Sequence, residues 1–402
     1  MSAATSGAGT SMLDGSDRKG DWDRRISAVV DAAAGSAADV DREGRFPQET
    51  LDALRQQRIL GAHVPQAHGG LGRTITEICA LVESVGSVCA SSAAVIAMHF
   101  SQELCLTRHI DLEADTMLSR FTRRVAADQL LLASSTTEKN IGGDTRTSSC
   151  AVVPNQDGTV TVAKSAPVIS YARFADAILV TARKSPEAPA SEQSLVVVPR
   201  EQLRLERTSE WDSLGLRGTM SEGFELEGTV PAQLVLPADF ATVSAQTMLP
   251  ASHTLWASSW LGLALGAGAI ARRFVQKKAR ATPGSVPPGA LRLAELEVEI
   301  QSMIDTVRAA VSRFEAAAQD PAQASSLHFS IAMNTLKVSS SESVRRIVAD
   351  AMVVVGIASY SNTGPHSLAR ALRDAMGPSL QVNNDRILGS SASLLTVSKG
   401  RA

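Results

Sequence analysis

Aromatic side chains are scarce in this chain of 402 residues: Phe, Tyr and Trp together make up 4%. A surface that stacks nucleobases is built from such rings, so a nucleic-acid platform is not expected. Charge of one sign is also lacking. Lys and Arg number 39 against 41 Asp and Glu, a formal net charge of -2, which gives a polyanion nothing to gain from the overall field. Cysteine is rare, with Cys79, Cys89, Cys105 and Cys150 alone, none in a CxxC pair or at a zinc-type spacing from histidine. That excludes a disulfide framework and a structural zinc site. It suggests free, buried thiols in a reducing, cytoplasmic setting. No run reaches the roughly 20 strongly apolar residues of a membrane span. The weakly polar stretch 254–270 is rich in Gly, Ala and Ser and is expected to be a buried bundle helix. No GxGxxG follows a strand, so a dinucleotide-binding α/β fold is not indicated.

What is present divides the chain into regions. Residues 1–21 are rich in Ser, Gly and Ala with no apolar h-region, and are expected to be a disordered leader. Residues 22–128 carry helical signals. Pro47 stands near a helix start, Leu51, Leu54 and Leu60 form a stripe, and Ile75, Ile78, Leu81 and Val82 recur at helical spacing. In residues 129–238, short β-branched runs alternate with Gly, Asn, Asp and Pro breaks, the pattern of an antiparallel β-domain. Residues 239–402 are helical again. One long helix is expected over 290–316, with Leu293, Leu296, Ile300, Met303 and Val307 on one face, and another over 330–352.

Several segments then match one family in order. They are Phe46-Pro47 with the Gly69-Gly70-Leu71-Gly72 loop, and Thr136-Thr137-Glu138 followed by Gly142-Gly143-Asp144. Next come Ile169-Ser170-Tyr171 with Ala175-Asp176, and the run from Trp211 through Gly215, Arg217 and Thr219 to Ser221. The last is Arg370 with Arg373-Asp374-Ala375. Together these resemble the acyl-CoA dehydrogenase superfamily over nearly the whole chain. The resemblance implies an α+β fold: a helical N-terminal domain, a middle antiparallel β-domain and a C-terminal four-helix bundle. It also implies FAD bound non-covalently between them, in a homo-oligomer, a dimer or a homotetramer.

The resemblance assigns flavin contact to Thr136, Thr137, Gly143 and Ser170. It assigns the FAD pyrophosphate of a neighbouring subunit to Arg280, and close backbone approach to Gly356. For the two threonines ordinary strand packing is the competing reading, and for Arg280 a solvated helix end. The family's carboxylate base sits on the loop after the Arg-Asp-Ala helix, where counting lands on Val382. The alternative position, on the first bundle helix, falls near Trp256. Neither side chain takes a proton. Three residues are candidates for the vacant role. Asp385 is a carboxylate near that loop, or a member of a helix cap with Asn383 and Asn384. His253 shares a helix face with Trp256 and Trp260 and is a competent base near neutral pH, or a buried hydrogen-bonded histidine. Asn384 can orient a carbonyl or amine through its amide.

The leading expectation is FAD-dependent dehydrogenation of an acyl thioester, on acyl-CoA or an acyl carrier protein, in secondary metabolism with an atypical base. The alternative is a monooxygenase of the same fold acting through a C4a-hydroperoxide, and the third is a non-catalytic flavin-binding subunit. Partners are then the thioester substrate and an electron-transfer partner or oxygen, with neither nucleic acid nor membrane.

Overall fold

The computed structural model describes residues 15–139 and 146–398. Five helices open it: α1 (Gly15–Glu43), α2 (Gln48–Gln56), α3 (Ile75–Gly86), α4 (Ala90–His109) and α5 (Met117–Ala127). Local chemistry sets their ends. Thr74 and Thr116 each form a capping box, with Glu77 and Ser119 reaching back to the cap residue's own N–H. Helix α4 is buried almost all round, so its polar side chains need partners inside. Ser92 bonds Thr50 at 2.9 Å, and His99 bridges the Leu60 carbonyl (2.9 Å) and the Leu132 N–H (3.1 Å). Helix α1 starts inside the segment expected to be a leader. Trp22 explains why: it is buried, with the Arg73 guanidinium 4.8 Å above its ring, and Arg73 also donates to the Arg18 carbonyl.

Seven strands follow: β1 (Leu132–Ser135), β2 (Val153–Pro154), β3 (Thr159–Ile169), β4 (Ala177–Arg183), β5 (Gln193–Pro199), β6 (Leu203–Ser209) and β7 (Glu222–Pro231). They form two sheets, in the orders β1-β4-β5 and β2-β3-β7-β6. One pairing departs from the antiparallel expectation. Strands β1 and β4 run parallel, with Leu132 opposite Ala177 and Ser135 opposite Val180. Parallel neighbours need a crossover, and the excursion through β2 and β3 supplies it. Strand β5 is buried throughout and β4 nearly so, whereas β3 and β7 alternate buried and open residues.

The chain then returns to helices. Helix α6 (Phe240–Val243) passes through one π-helical turn, Ser244–Met248, into α7 (Leu249–Ala281). Helices α8 (Ala290–Ala317), α9 (Pro321–Ala324), α10 (Leu327–Val355), α11 (Ala369–Ala375) and α12 (Asn384–Val397) complete the order. The unbroken stretch Phe240–Ala281 is long and apolar enough to cross a membrane by length and composition. Yet 72% of its apolar window is buried by the protein itself, as a core helix requires. Small residues allow this burial. A Cβ on Gly262 would lie 2.1 Å from the Glu83 carbonyl oxygen and one on Gly86 2.5 Å from that of Ser259, so α3 and α7 touch backbone to backbone. All four cysteines are buried and free.

The three regions meet at α11. Asp374 accepts a 2.6 Å hydrogen bond from the Leu216 N–H, and Arg373 forms a two-pronged ion pair with Asp41 at the end of α1. Gly218 N–H donates to Ser91 of α4. Gly215 lies so close that a Cβ there would sit 2.3 Å from the Arg373 carbonyl oxygen. Gly215→Ala should therefore force backbone apart at the junction and destabilise by about 1–3 kcal/mol. A urea unfolding midpoint equal to that of the parent protein would show the junction to be more compliant than this.

Candidate functional site

Two clusters hold the side chains singled out by sequence. The first is a corner at the ends of β1 and β3. Thr136 and Thr137 follow β1, and Ser170 follows β3, all three half-buried. Thr137 Oγ1 donates to the Val168 carbonyl at 2.9 Å, which brings the strand ends together. Ser170 Oγ lies 2.8 Å from Ser221 Oγ. That hydroxyl is 2.8 Å from Thr219 Oγ1, which donates to the Leu216 carbonyl, so a chain of hydroxyls runs back to the α11 junction. Val168 adds an apolar edge, 38% exposed. Gly143 lies outside the described residues. Glu138 fastens the chain just after it, accepting from Ser148 Oγ (2.9 Å), Ser149 N–H (3.1 Å), Cys150 N–H (2.9 Å) and the Ser149 hydroxyl. Burial alone would push this carboxyl up, but the serine bonds outweigh it and hold the group below the ordinary glutamate value.

The second cluster lies between α7, α10 and the loop before α12. His253, Trp256 and Trp260 line one face of α7, with ring centroids 6.1 Å and 6.4 Å apart in succession. His253 is 3% exposed, and its Nδ1 is 3.1 Å from the Met333 carbonyl oxygen of α10. A carbonyl only accepts, so Nδ1 carries the proton and Nε2 the lone pair. Burial pushes the imidazole down to about 4 against the bond to Met333, and the nearby Lys337 charge adds to the shift. At neutral pH His253 is therefore an uncharged acceptor. Trp256 Nε1 is a buried donor with no acceptor among the described residues.

Lys337 was not singled out by sequence. It is fully buried on α10, and its Nζ donates to the Val382 carbonyl and to Asn384 Oδ1, each at 2.7 Å. Burial pushes it down to about 8, with Glu342 opposing. The signal was present as one lysine in a buried row running Phe329, Met333, Leu336, Ser340, Val344 and Ile347. Asn384 is a junction. Its Nδ2 donates to Ser341 Oγ and Glu342 Oε1, both at 3.1 Å, while its oxygen serves Lys337. Its amide is thus occupied by the protein rather than presented to a ligand. Val382 sits at φ 47°, 37% exposed.

The other candidates stand apart from both clusters. Asp385 is exposed in the first turn of α12, where Asn383 Oδ1 caps its N–H at 2.8 Å and its charge favours the helix N-terminus. Arg280 is exposed near the end of α7, roughly 40 Å along the helix from His253 at 1.5 Å per residue. Gly356, at φ 73°, ends α10 beyond Lys337. Among the described residues no group of three His, Cys, Asp or Glu side chains is placed to hold a metal ion.

A flavin ring needs hydrogen-bond donors towards its ring nitrogens and carbonyls and a dry wall on one face. The hydroxyls of Thr136, Thr137 and Ser170, the Val168 edge and the unmatched Trp256 N–H are of the types it needs. Comparison with known proteins gives the family. Residues 24–109 match the acyl-CoA dehydrogenase N-terminal domain and residues 243–380 the C-terminal domain. The chain belongs to the acyl-CoA dehydrogenase family. It is 24% identical to the amino sugar nitrososynthase DnmZ of Streptomyces peucetius, over 87% of this chain and 86% of that protein. It is 26% identical to the cyclohex-1-ene-1-carbonyl-CoA dehydrogenase of Geobacter metallireducens, over 84% and 87% respectively. The fold is shared with the FMN-bound dibenzothiophene monooxygenase TdsC of Paenibacillus sp. A11-2, with a TM-score of 0.80 at 18% identity, covering 92% of this chain and 97% of that one. This family member is accordingly a flavoenzyme.

The depressed histidine gives a pH test. In the unfolded chain His253 returns to about 6.5, above its folded value, so the unfolded state takes the proton first on acidification. The stability that neutral burial secures is present above 6.5 and is lost as pH falls towards 4. His253→Gln should show a smaller fall in urea midpoint between about pH 7 and pH 4.5 than the parent protein does. His99 and His109, also pushed down to about 4 by burial, keep part of the fall in place. Parallel curves for variant and parent would mean that His253 does not titrate with folding.

Proposed function

We propose that this flavoenzyme is a monooxygenase that oxygenates an amine-bearing small molecule, not a thioester dehydrogenase. The observation that carries the reading is the state of the bundle cluster. The position at which the resemblance expects a carboxylate holds Val382, its carbonyl tied to Lys337, and the other expected position holds the Trp256 indole. The carboxylate that touches the cluster is Glu342, bonded to Asn384 and Arg345. His253, with its conjugate acid near 4, is too weak a base to remove the α-proton of a thioester efficiently.

Bound flavin, once reduced, supplies the oxygen-activating chemistry. The chain's own residues divide the remaining work. Thr136, Thr137 and Ser170 hold the ring edge. Trp256 and Trp260 form an apolar wall that excludes water. His253 Nε2 accepts a hydrogen bond from a substrate N–H or O–H, and the Trp256 N–H donates to a substrate oxygen. The likeness to an amino sugar nitrososynthase supports an amine on a sugar as the substrate class. FAD is the expected cofactor by the resemblance, with Arg280 and Gly356 serving the adenylate half across a subunit interface of a homo-oligomer. FMN would need only the strand corner. Chromatography of the heat-released flavin separates the two.

The similarity to a CoA dehydrogenase keeps the second reading, dehydrogenation of an acyl-CoA or acyl-carrier-protein thioester. Anaerobic addition of thioesters should leave the oxidised flavin band, roughly 450 nm for this cofactor, unbleached. Reduced enzyme given oxygen and an amino sugar nucleotide should consume oxygen and form an N-oxygenated product. Bleaching by thioester would overturn the monooxygenase reading, and inertness in both assays would point to a non-catalytic flavin-binding subunit. His253→Ala should keep the flavin and lower turnover roughly ten- to a hundredfold, the scale of a buried substrate hydrogen bond left unmade.

A further inference from the structure

We propose that Lys337 is a positioning residue: from inside α10 it clamps the loop between α11 and α12 in the one conformation that closes the wall of the site. The inference deepens the proposed function, since it takes the Val382 loop to edge the flavin and substrate.

Lys337 is fully buried, and an ammonium taken out of water is costly unless its surroundings compensate. Carboxylates normally provide that compensation. Here both Nζ bonds go to neutral oxygens, the Val382 carbonyl and Asn384 Oδ1, at 2.7 Å each. The nearest carboxylate, Glu342, is one step removed and bonds the other end of the same asparagine amide at 3.1 Å. A cation so placed is a poor choice for stability and a good one for fixing geometry, because two charge-assisted bonds converge on residues two apart. The first of them, Val382, holds φ 47°, which a β-branched side chain adopts only under constraint. Apolar packing holds this part of the loop little: Leu380 is 72% exposed, and Ile387 is the first residue of α12 to be buried, so polar bonds to α10, those of Lys337 and of the Asn384 amide to Ser341 and Glu342, carry the attachment. The same ammonium faces His253 from across the helix pair, and its charge helps to keep that imidazole neutral.

The test separates clamping from stability. In Lys337→Met a flexible apolar chain replaces the buried cation. The melting temperature should hold or rise, because a desolvated charge has been removed. Hydrogen exchange of the flavin-free protein should meanwhile quicken roughly tenfold or more across residues 379–387 and stay unchanged in α3, α4 and β5. Asn384→Ala releases the clamp from its other side without touching the buried charge. It should loosen the same segment, and the two variants together should loosen it by less than the sum of the single effects, because one of the bonds, Lys337 to Asn384 Oδ1, is shared. In the flavin-loaded enzyme, kcat should fall at least tenfold in whichever assay the enzyme supports, with little change in KM. Exchange that is unaltered at 379–387, or raised evenly over the whole chain, overturns the clamp. A loosened loop with kcat within twofold of the parent overturns its positioning role and leaves only a structural tie. Because exchange is read without flavin or substrate, failure of the monooxygenase reading alone would leave that part of the result intact.

Discussion

A single buried carboxylate holds the three regions in register. Asp374 is 3% exposed and accepts the Leu216 N–H at 2.6 Å, joining α11 of the bundle to the loop that feeds β7. Burial pushes its acid up to about 6, with the Leu216 bond and the charge of Arg370 opposing that rise. Its neighbour Arg373 reaches the other way, to Asp41 at the end of α1 and to the Leu214 carbonyl. Around this pair the backbone is packed too closely for any side chain at Gly215. The orientation of α11 follows from these bonds, and with it the exit direction of the loop that carries Val382. Both halves of the site depend on this joint: the Ser170–Ser221–Thr219 hydroxyl chain ends on Leu216, and the Lys337 clamp grips the loop that α11 launches.

The two halves differ in chemistry because they are built from different elements. Strand ends leave backbone groups and short hydroxyls at an edge, which suits a planar heterocycle that needs many weak, directed bonds. Helix faces inside a bundle exclude water, so ionisable groups there are forced towards neutrality or into hydrogen bonds with fixed partners. His253 and Lys337 show both outcomes within one cluster. The imidazole has lost its charge, and the lysine, pushed down to about 8 by burial with Glu342 opposing, bonds two carbonyl-type acceptors. The strand corner has a buried lysine of its own: Lys164 donates to the Ser135 and Thr181 carbonyls and burial pushes it down to about 8, while the Glu138 carboxylate is spent on tying Ser148, Ser149 and Cys150.

Much of the fold was legible because it follows from local rules. The stripe of Leu296, Ile300, Met303 and Val307 marks the buried face of α8, and the Pro47 signal marks the start of α2. What was not legible depends on distant partners. Strand β6 carries Arg204, Glu206 and Arg207 and looks like a loop until β7 pairs with it. The parallel match of β1 with β4 leaves no trace in either strand, since direction is decided by the intervening crossover. Helix α1 extends into the Ser- and Gly-rich segment because Trp22 and Arg73 hold it from outside. At the site, His253 and its aromatic neighbours could be found by helical spacing alone. Helical spacing also places Lys337 in the buried row of α10, but not its role, which comes from Val382 and Asn384, far along the chain and brought to it only by the turn after α11.

The protonation states of the bundle cluster also constrain which substrates it accepts under the monooxygenase reading. At neutral pH the cluster offers one uncharged acceptor, His253 Nε2, beside one cation, Lys337. An alkylammonium substrate would bring a second positive charge into a low-dielectric space without a free carboxylate, which is costly. A neutral amine fits the same space, with its N–H towards His253 and its lone pair free to be oxygenated. The base that a thioester dehydrogenase needs is an anion held ready for a proton, and in this cluster the local charge runs the other way. Val382, at the position where the resemblance expects a carboxylate, therefore does not stand alone. It accompanies a buried lysine and a neutral histidine whose joint effect is to favour an uncharged nucleophile over a proton to be removed.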